Sequence, residues 1–162
     1  MAQPFPKHEH LMGGYEPLRT ECDAPDLVIE GEVPAELRGV FMRNGPNPQY
    51  APRGEYHLFA GDGMLHGFYI ADGKVAYKNR WVQTIKWRKE REAGRALFSG
   101  MNPMDADPSV LGMPTDGLAS TNVVWHGKNC WRLKRRMRRS SWTYAHWRRS
   151  VHTLLAASWW AR

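Results

Sequence analysis

Acidic residues are missing from the last part of the chain. The 162-residue sequence contains 16 Asp and Glu, and the last of them is Asp116. Up to Gly127 there are 13 Lys and Arg against these 16 acids, a net charge of −3, whereas residues 128–162 carry 10 basic residues. The overall charge of +7 is therefore a property of this tail, and it does not mark the preceding residues as a partner for polyanions.

Cysteines and long apolar runs are also scarce, which excludes several classes of protein. Two cysteines, Cys22 and Cys130, provide neither a disulfide framework nor the spacing of a zinc finger. No apolar run approaches the roughly 20 residues of a membrane span, and the first residues lack the apolar segment of a signal peptide. We therefore expect a reduced, cytoplasmic and soluble protein with one modest domain.

Short apolar stretches separated by turn residues predict β-structure after an irregular arm at residues 1–26. The Asp72-Gly73 pair is typical of a two-residue hairpin turn between adjacent strands. Alternation along the following strand places residues of different polarity on its two faces, which favours an antiparallel meander packed on one side. The predicted apolar runs and strands lie at 40–43, 56–60, 64–70 and 74–84.

One helix and a further strand are predicted after the meander. Residues 84–98 read as a helix with Thr84 as its N-cap, and Lys86 and Glu90 stand four residues apart on it. A strand begins in the segment 120–127. The apolar stripe of the helix would consist of Ile85, Trp87, Ala93, Ala96 and Leu97.

Two sequence motifs at a suitable separation point to a known family. The first, RNGPNP, lies at residues 43–48, and the second, GDGM followed two residues later by His, lies at 61–66. With the flanking phrases around them, residues 29–127 resemble the N-terminal part of the carotenoid cleavage oxygenases, which include carotenoid, apocarotenoid, lignostilbene and retinoid-type dioxygenases. The motif residues that carry this resemblance, predicted to be structural, are Arg43, Asn44, Gly45, Pro46, Gly61, Asp62, Gly63, Met64 and His66.

This resemblance implies an all-β fold, a seven-bladed β-propeller with Fe(II) held on its axis by four histidines. The iron binds O2, and a conjugated C=C bond is split into two carbonyls; imidazole ligands suit such redox iron. Every iron ligand of the family lies downstream of the matched segment. We therefore expect residues 27–127 to form about one blade plus the start of a second, with one short helix near 84–98. We also expect a truncated chain that binds no iron and is inactive.

The histidines in the matched segment are not expected to bind metal. His57, His66 and His126 are interpreted as imidazoles that form hydrogen bonds between strands. His8 and His10 alternate in the arm, but two ligands are too few for a metal site. We predict no metal-binding and no catalytic residue in this chain.

Three further positions have specific interpretations. Phe59 matches an aromatic residue that faces the substrate cavity in some relatives, and core packing is its alternative. Gly61 and Gly63 are expected to supply positive φ angles in a tight turn. Asp62 between them is expected to accept hydrogen bonds from N–H groups of that turn.

The substrate of the intact family is an apolar polyene or a stilbenoid. Relatives that cleave hydroxystilbenes carry a tyrosine just after the position of residues 96–98, and this chain has Ser99 and Gly100 there. The absence of that tyrosine favours an apocarotenoid-type substrate over a lignostilbene.

The tail, residues 128–162, departs from the family pattern and has no predictable fold. Codons can be chosen for it that, read one base earlier, encode a family-like continuation, so we predict an out-of-frame translation from about residues 127–131. The alternative is a small basic binding protein whose tail contacts nucleic acid or anionic membrane through Arg and Trp. We predict no specific protein partner. Trp81, Phe68 and Tyr69 would have no partners from the missing neighbouring blades, which predicts poor stability.

Overall fold

The structure, a computed structural model, describes residues 3–100, 102–114, 117–126, 129–135 and 142–146. The strands are β1 (Asp23–Ala24), β2 (Gly39–Pro46), β3 (Gly63–Ala71), β4 (Lys74–Trp81), β5 (Asn122–His126), β6 (Asn129–Arg135) and β7 (Trp142–His146). The α-helix is α1 (Ile85–Ala93), and 3-10 helices lie at Glu9–Leu11, Gly13–Tyr15, Leu58–Ala60, Pro103–Asp105 and Pro108–Val110.

The first sheet is antiparallel, with the strand order β1-β4-β3-β2. Its register places Phe41, Phe68 and Tyr77 side by side across three strands. At the β3–β4 turn Asp72 and Gly73 have φ angles of 52° and 72°, as a type I′ turn requires. The predicted meander and its hairpin turn are therefore confirmed.

The boundaries of two predicted strands are wrong. Residues 56–60 are not a strand; they contain the 3-10 helix Leu58–Ala60. Strand β2 continues past its predicted end at residue 43, because Asn44, Gly45 and Pro46 pair with β3. A proline is tolerated here because it ends a strand at the edge of the sheet, where its missing N–H leaves no gap in the ladder.

Helix α1 is shorter than the predicted span of 84–98. Thr84 caps it as predicted, since its Oγ1 accepts a hydrogen bond from the Trp87 N–H at 3.0 Å. Gly94 has a φ angle of 68°, a left-handed conformation that ends helices. The predicted apolar stripe does not describe its buried face, because the buried helix residues are Lys86 and Glu90.

The N-terminal arm adds the strand β1 to the sheet. Asp23 and Ala24 pair with β4, and the buried side chain of Asn79 joins the same segment. Its Oδ1 accepts from the Cys22 N–H, and its Nδ2 donates to the Thr20 carbonyl at 3.3 Å. The arm that the sequence predicts to be irregular therefore contributes regular structure to the first sheet.

Two small cores stabilise this arrangement. One contains Leu65, Val82 and Ala119 with Met42 and Val123 against it, and the other contains Leu11, Tyr56 and Ala60 with Phe5 and Leu118 against it. Trp81 is 6% exposed, and its indole N–H donates to the Asn47 carbonyl at 3.1 Å. Trp81 is therefore packed within this chain and is not exposed by the lack of neighbouring blades.

The second sheet has the antiparallel order β5-β6-β7. Strand β5 begins within the predicted segment 120–127, and both β6 and β7 lie in the tail. The prediction of a mainly β-stranded fragment, about one blade plus the start of a second with one short helix, is confirmed. Across the described ranges, α1 is far too short and polar to cross a bilayer, and so is each 3-10 helix.

Candidate functional site

The two family-like motifs lie next to each other in the first sheet. Residues 43–46 of β2 pair residue by residue with residues 63–66 of β3. Arg43 is opposite His66 and Pro46 is opposite Gly63. The two motifs are about fifteen residues apart in the sequence, but in the fold they lie side by side at one end of the β2–β3 pair.

This strand pair holds the segment that leads into the second sheet. The Asn44 side chain donates through Nδ2 to the Ala119 carbonyl at 2.9 Å and to the Asn122 carbonyl at 3.3 Å. The Gly63 N–H donates to the Leu118 carbonyl at 2.9 Å. The motif residues therefore connect the first sheet to the start of β5.

The prediction that Gly61 and Gly63 supply positive φ angles is wrong. Gly61 has a φ angle of −69°, and Gly63 is not among the residues with positive φ. Both are needed because other groups come close. A Cβ on Gly61 would lie 2.9 Å from the Asn47 backbone nitrogen, and a Cβ on Gly63 would overlap the Ala119 carbonyl oxygen.

Asp62 belongs to a cluster of buried charges with Lys86 and Glu90, hereafter the buried charge cluster. The Lys86 ammonium lies 2.8 Å from Asp62 Oδ1 and 2.7 Å from Glu90 Oε2. The second Asp62 oxygen accepts from the Gln49 N–H at 3.1 Å. This donor lies thirteen positions away and not in the turn around Asp62, so Asp62 accepts from a backbone N–H, but not from the turn that the sequence predicted. Glu90 Oε1 accepts from the N–H groups of residues 97 and 98, each at 2.9 Å.

The electrostatics of this cluster argue for a structural role. Burial disfavours the charged form of Lys86, but the carboxylates of Asp62 and Glu90 outweigh it and raise the pKa of the ammonium group. Burial, followed by the charge of Asp62, raises the pKa of the nearby Tyr56 hydroxyl to about 12. A lysine that stays protonated is no nucleophile, and a tyrosine with that pKa is a poor general acid or base at neutral pH.

A small cavity of about 20 Å³ lies beside the buried charge cluster. Its lining includes Tyr56, Lys86, Glu90 and Phe98. This volume accommodates about one water molecule, whereas pockets for organic ligands begin at about 300 Å³. The cavity is therefore not a substrate site.

The predicted histidines lie at separate places. His66 lies on β3, with Nδ1 2.7 Å from the Tyr77 hydroxyl on β4, and burial followed by the charge of Arg43 lowers its pKa. His57 precedes the 3-10 helix Leu58–Ala60, where its Nδ1 accepts from the Phe59 N–H at 3.2 Å. His126 is the last residue of β5.

The described residues do not fit the iron site that the family resemblance implies. Nowhere in them do three or more His, Cys, Asp or Glu side chains come together in a way that could hold a metal ion. Phe59, the predicted cavity residue, is 56% exposed, so it is not a core residue of the part of the chain that the structure describes. Its role toward a substrate stays a prediction.

The sequence indicated the strands that contain the motifs, but it did not reveal which distant residues contact the motif side chains and glycines. Lys86 and Glu90 have the i,i+4 spacing of a surface ion pair, and nothing local reveals that Asp62 joins them. Asn79, 2% exposed, looks like an ordinary strand residue. The contact of Ala119 with Gly63 spans 56 positions of the chain, so no local pattern could show it.

Comparison with known proteins extends the resemblance in both directions. The family model described as Retinal pigment epithelial membrane protein matches residues 15–138, a longer span than the predicted 29–127. The chain is 44% identical to lignostilbene-alpha,beta-dioxygenase isozyme III of Sphingomonas paucimobilis over 132 residues, 80% of this chain and 27% of that protein. It is 43% identical to probable carotenoid cleavage dioxygenase 4, chloroplastic, of Arabidopsis thaliana over 106 residues, 62% of this chain and 18% of that protein.

The fold is similar to that of a solved enzyme. The lignostilbene dioxygenase of Pseudomonas brassicacearum superposes with a TM-score of 0.75 and 32% sequence identity. The superposition covers 90% of this chain and 32% of that one. The chain thus spans about a quarter of the length of the first of these relatives and about a third of the solved structure.

Proposed function

The chain belongs to the retinal pigment epithelial membrane protein family, that of the carotenoid cleavage oxygenases, and we propose from this that its function is part of an oxidative cleavage reaction. In an intact protein that contains this segment, O2 would split a conjugated C=C bond of an apolar polyene or stilbenoid into two carbonyl products. The observation that carries this proposal is the family match over residues 15–138. The joined motif strands β2 and β3 support it.

The substrate class is proposed only in these broad terms. Similar proteins include one named for lignostilbene and one named for carotenoid cleavage. The absence of a tyrosine after residues 96–98 favours an apocarotenoid, while the 44% identity to a lignostilbene dioxygenase favours a stilbenoid. Both substrate types are planar, conjugated and apolar, so an exposed aromatic such as Phe59 would suit either by ring contact.

We propose that the chain by itself contains no iron centre and does not carry out the reaction. Fe(II), where a protein of this family holds it, supplies the activation of O2. Across the described residues no three-ligand group is available to hold it. What these residues contribute is the blade framework. Asn44 and Gly63 hold the start of the second sheet, and the buried charge cluster joins α1 to Asp62, the residue before β3.

Iron content and turnover of the purified 162-residue chain test this second proposal. After reconstitution with Fe(II) under anaerobic conditions and removal of free metal, we expect far less than one iron per chain. We also expect no O2 consumption above the buffer control with an apocarotenoid or a hydroxystilbene. One tightly bound iron per chain together with O2-dependent cleavage would show that the chain is itself an enzyme.

A chimera tests the first proposal separately. Residues 15–126 of this chain would replace the matching segment of the Sphingomonas lignostilbene dioxygenase. We expect the chimera to bind iron and to cleave a conjugated substrate, because the segment supplies the same framework. A chimera that is folded and iron-loaded but cleaves neither a stilbenoid nor an apocarotenoid would contradict the proposed activity.

For the tail we propose a change of reading frame near residues 127–131. Its support is compositional, since all 16 acids precede it and 10 basic residues follow it. The family match runs on to residue 138, past this point, and does not support the proposal. The nucleotide sequence tests it: the same frame encoding family-like residues on both sides of this point would contradict it. We also propose a cytoplasmic location. The alternative, a tail that binds nucleic acid or a membrane, has no support from the family match.

A further inference from the structure

The cavity beside the buried charge cluster is lined by three parts of the chain. Helix α1 contributes Lys86 and Glu90, the loop between β2 and β3 contributes Tyr56 and Ala60 among others, and the segment after α1 contributes Ala96 among others. The volume of about 20 Å³ exceeds the roughly 10–15 Å³ that one water molecule needs. The cavity is thus large enough for a single water and too small for an organic ligand.

The first polar group at this cavity, the Lys86 ammonium, has one N–H to spare. An ammonium group carries three N–H donors. Asp62 Oδ1 and Glu90 Oε2 accept two of them, at 2.8 and 2.7 Å, and the described residues provide no acceptor for the third. Because Lys86 is only 8% exposed, leaving this N–H without a partner would cost free energy.

The second group, the Glu90 carboxylate, has one acceptor position to spare. A carboxylate offers about four lone-pair positions. The Glu90 oxygens accept from Lys86 and from the N–H groups of residues 97 and 98, which uses three of them. Since Glu90 is 1% exposed, a partner for the remaining position has to come from inside the protein.

The third group is the Tyr56 hydroxyl. Tyr56 is 7% exposed, and no described residue forms a hydrogen bond with its hydroxyl. Burial, and then the charge of Asp62, raises its pKa to about 12, so the hydroxyl stays protonated at neutral pH and is available as a donor. Three buried polar groups at one cavity therefore each keep a single unused hydrogen-bonding position.

We propose that the cavity binds one structural water molecule, which accepts hydrogen bonds from the Lys86 ammonium and the Tyr56 hydroxyl and donates one to the Glu90 carboxylate. A buried water typically makes about three hydrogen bonds, and these three use the positions that the protein leaves open. A cation in its place would be repelled by Lys86, and an anion by Glu90. The water would join the loop before β3 to α1 and is independent of the oxidative activity proposed above.

Nuclear Overhauser measurements between water and methyl groups of the full chain test the proposal. With selective methyl labelling of Ala and Leu, we expect cross-peaks from water to Ala60 and Ala96, which line the cavity. Leu65, 2% exposed and part of the other core, is the internal control and should show none. The lack of a cross-peak at either alanine, or equal intensity at Leu65, would overturn the proposal.

Ala96→Val distinguishes a bound water from protons that exchange at the Tyr56 hydroxyl or the Lys86 ammonium. The added methyl groups would fill the cavity and displace the water, while both exchanging groups remain. We expect the water cross-peak of Ala60 to be lost in this variant. It should be retained in Ala93→Val, the matched control, because Ala93 is an exposed residue of α1 that does not line the cavity. A cross-peak that persists in folded Ala96→Val would overturn the proposal.

Tyr56→Phe is a second variant, which keeps the test decisive where Ala96→Val does not fold. It removes one hydrogen-bonding partner of the water and adds no volume to the cavity lining. The water cross-peaks of Ala60 and Ala96 should weaken several-fold, because the water is held less firmly. Unchanged intensity at both methyl groups would contradict a water bound by the Tyr56 hydroxyl.

Discussion

At the scale of single residues, the buried charge cluster is the feature whose removal should matter most. Lys86→Met leaves the carboxylates of Asp62 and Glu90 buried without their cation, which typically costs about 3–5 kcal/mol. The free energy of unfolding, measured from urea titrations followed by Trp fluorescence, should fall by about this amount.

Lys89→Met is the matched control for this prediction. Lys89 is on the same helix and lies 3.2 Å from Glu92, but both side chains are exposed, and exposed ion pairs contribute little to stability. Equal effects of the two substitutions would contradict a special role for the buried lysine.

His66 provides a second prediction at this scale. Burial, and then the charge of Arg43, lowers its pKa in the folded protein. Its neutral form is therefore the stabilising one, and its contribution is present above the unfolded value of about 6.5 and lost as the pH falls through the folded value. An NMR titration of His66 should give a midpoint below 6.5.

Arg43→Gln should move the His66 midpoint upward, because it removes the nearby positive charge while burial remains. Arg19→Gln is the control, since Arg19 contacts Phe5 in the arm and has no described contact with His66. A midpoint that moves equally in both variants would show that Arg43 has no specific effect.

At the scale of elements, the sequence predicted the positions of the strands better than it predicted why glycines are needed in the motif. Alternating polarity and the Asp72-Gly73 turn are local signals, and they correctly placed β3 and β4. The run at residues 56–60 is as apolar as a strand, but His57 caps a 3-10 turn there. The glycines at 61 and 63 were correctly singled out, but the groups that approach them are distant in the sequence and so could not be predicted.

The contact between Gly63 and the segment before β5 gives a prediction for this scale. Gly63→Ala would place a methyl group on the Ala119 carbonyl and push away the backbone that accepts the Gly63 N–H bond. Overpacking of this kind costs about 1–3 kcal/mol. The unfolding midpoint in urea should fall accordingly, and amides of residues 118–124 should lose protection.

Gly45→Ala is the matched control, because it tests whether any alanine in the motif lowers stability without the close contact at Gly63. Gly45 lies on the neighbouring strand β2, one position before Pro46, which is opposite Gly63. A Cβ on Gly45 would meet nothing within 4 Å. Its substitution should be nearly neutral. A loss of stability equal to that of Gly63→Ala would contradict the proposed close approach.

At the scale of the whole molecule, several large apolar side chains remain on the surface. Val28 is 97% exposed, Met104 80% and Phe41 61%. Phe41 lies on β2, which the sheet order places at an edge. An edge strand with unpaired backbone groups and an exposed aromatic favours pairing with another chain, so we predict that the isolated chain self-associates as its concentration rises.

Phe41→Lys should reduce this association, because a charge on an edge strand opposes strand pairing. The cost to the fold should be small, since the Phe41 ring is mostly exposed and its centroid lies 6.3 Å from that of Phe68. Val28→Lys is the control: it removes an even more exposed apolar side chain, but from outside the strands. Sedimentation velocity over a concentration series should show a larger monomer fraction for Phe41→Lys than for Val28→Lys. An equal gain for both would indicate that general surface hydrophobicity, and not the edge of β2, drives the association.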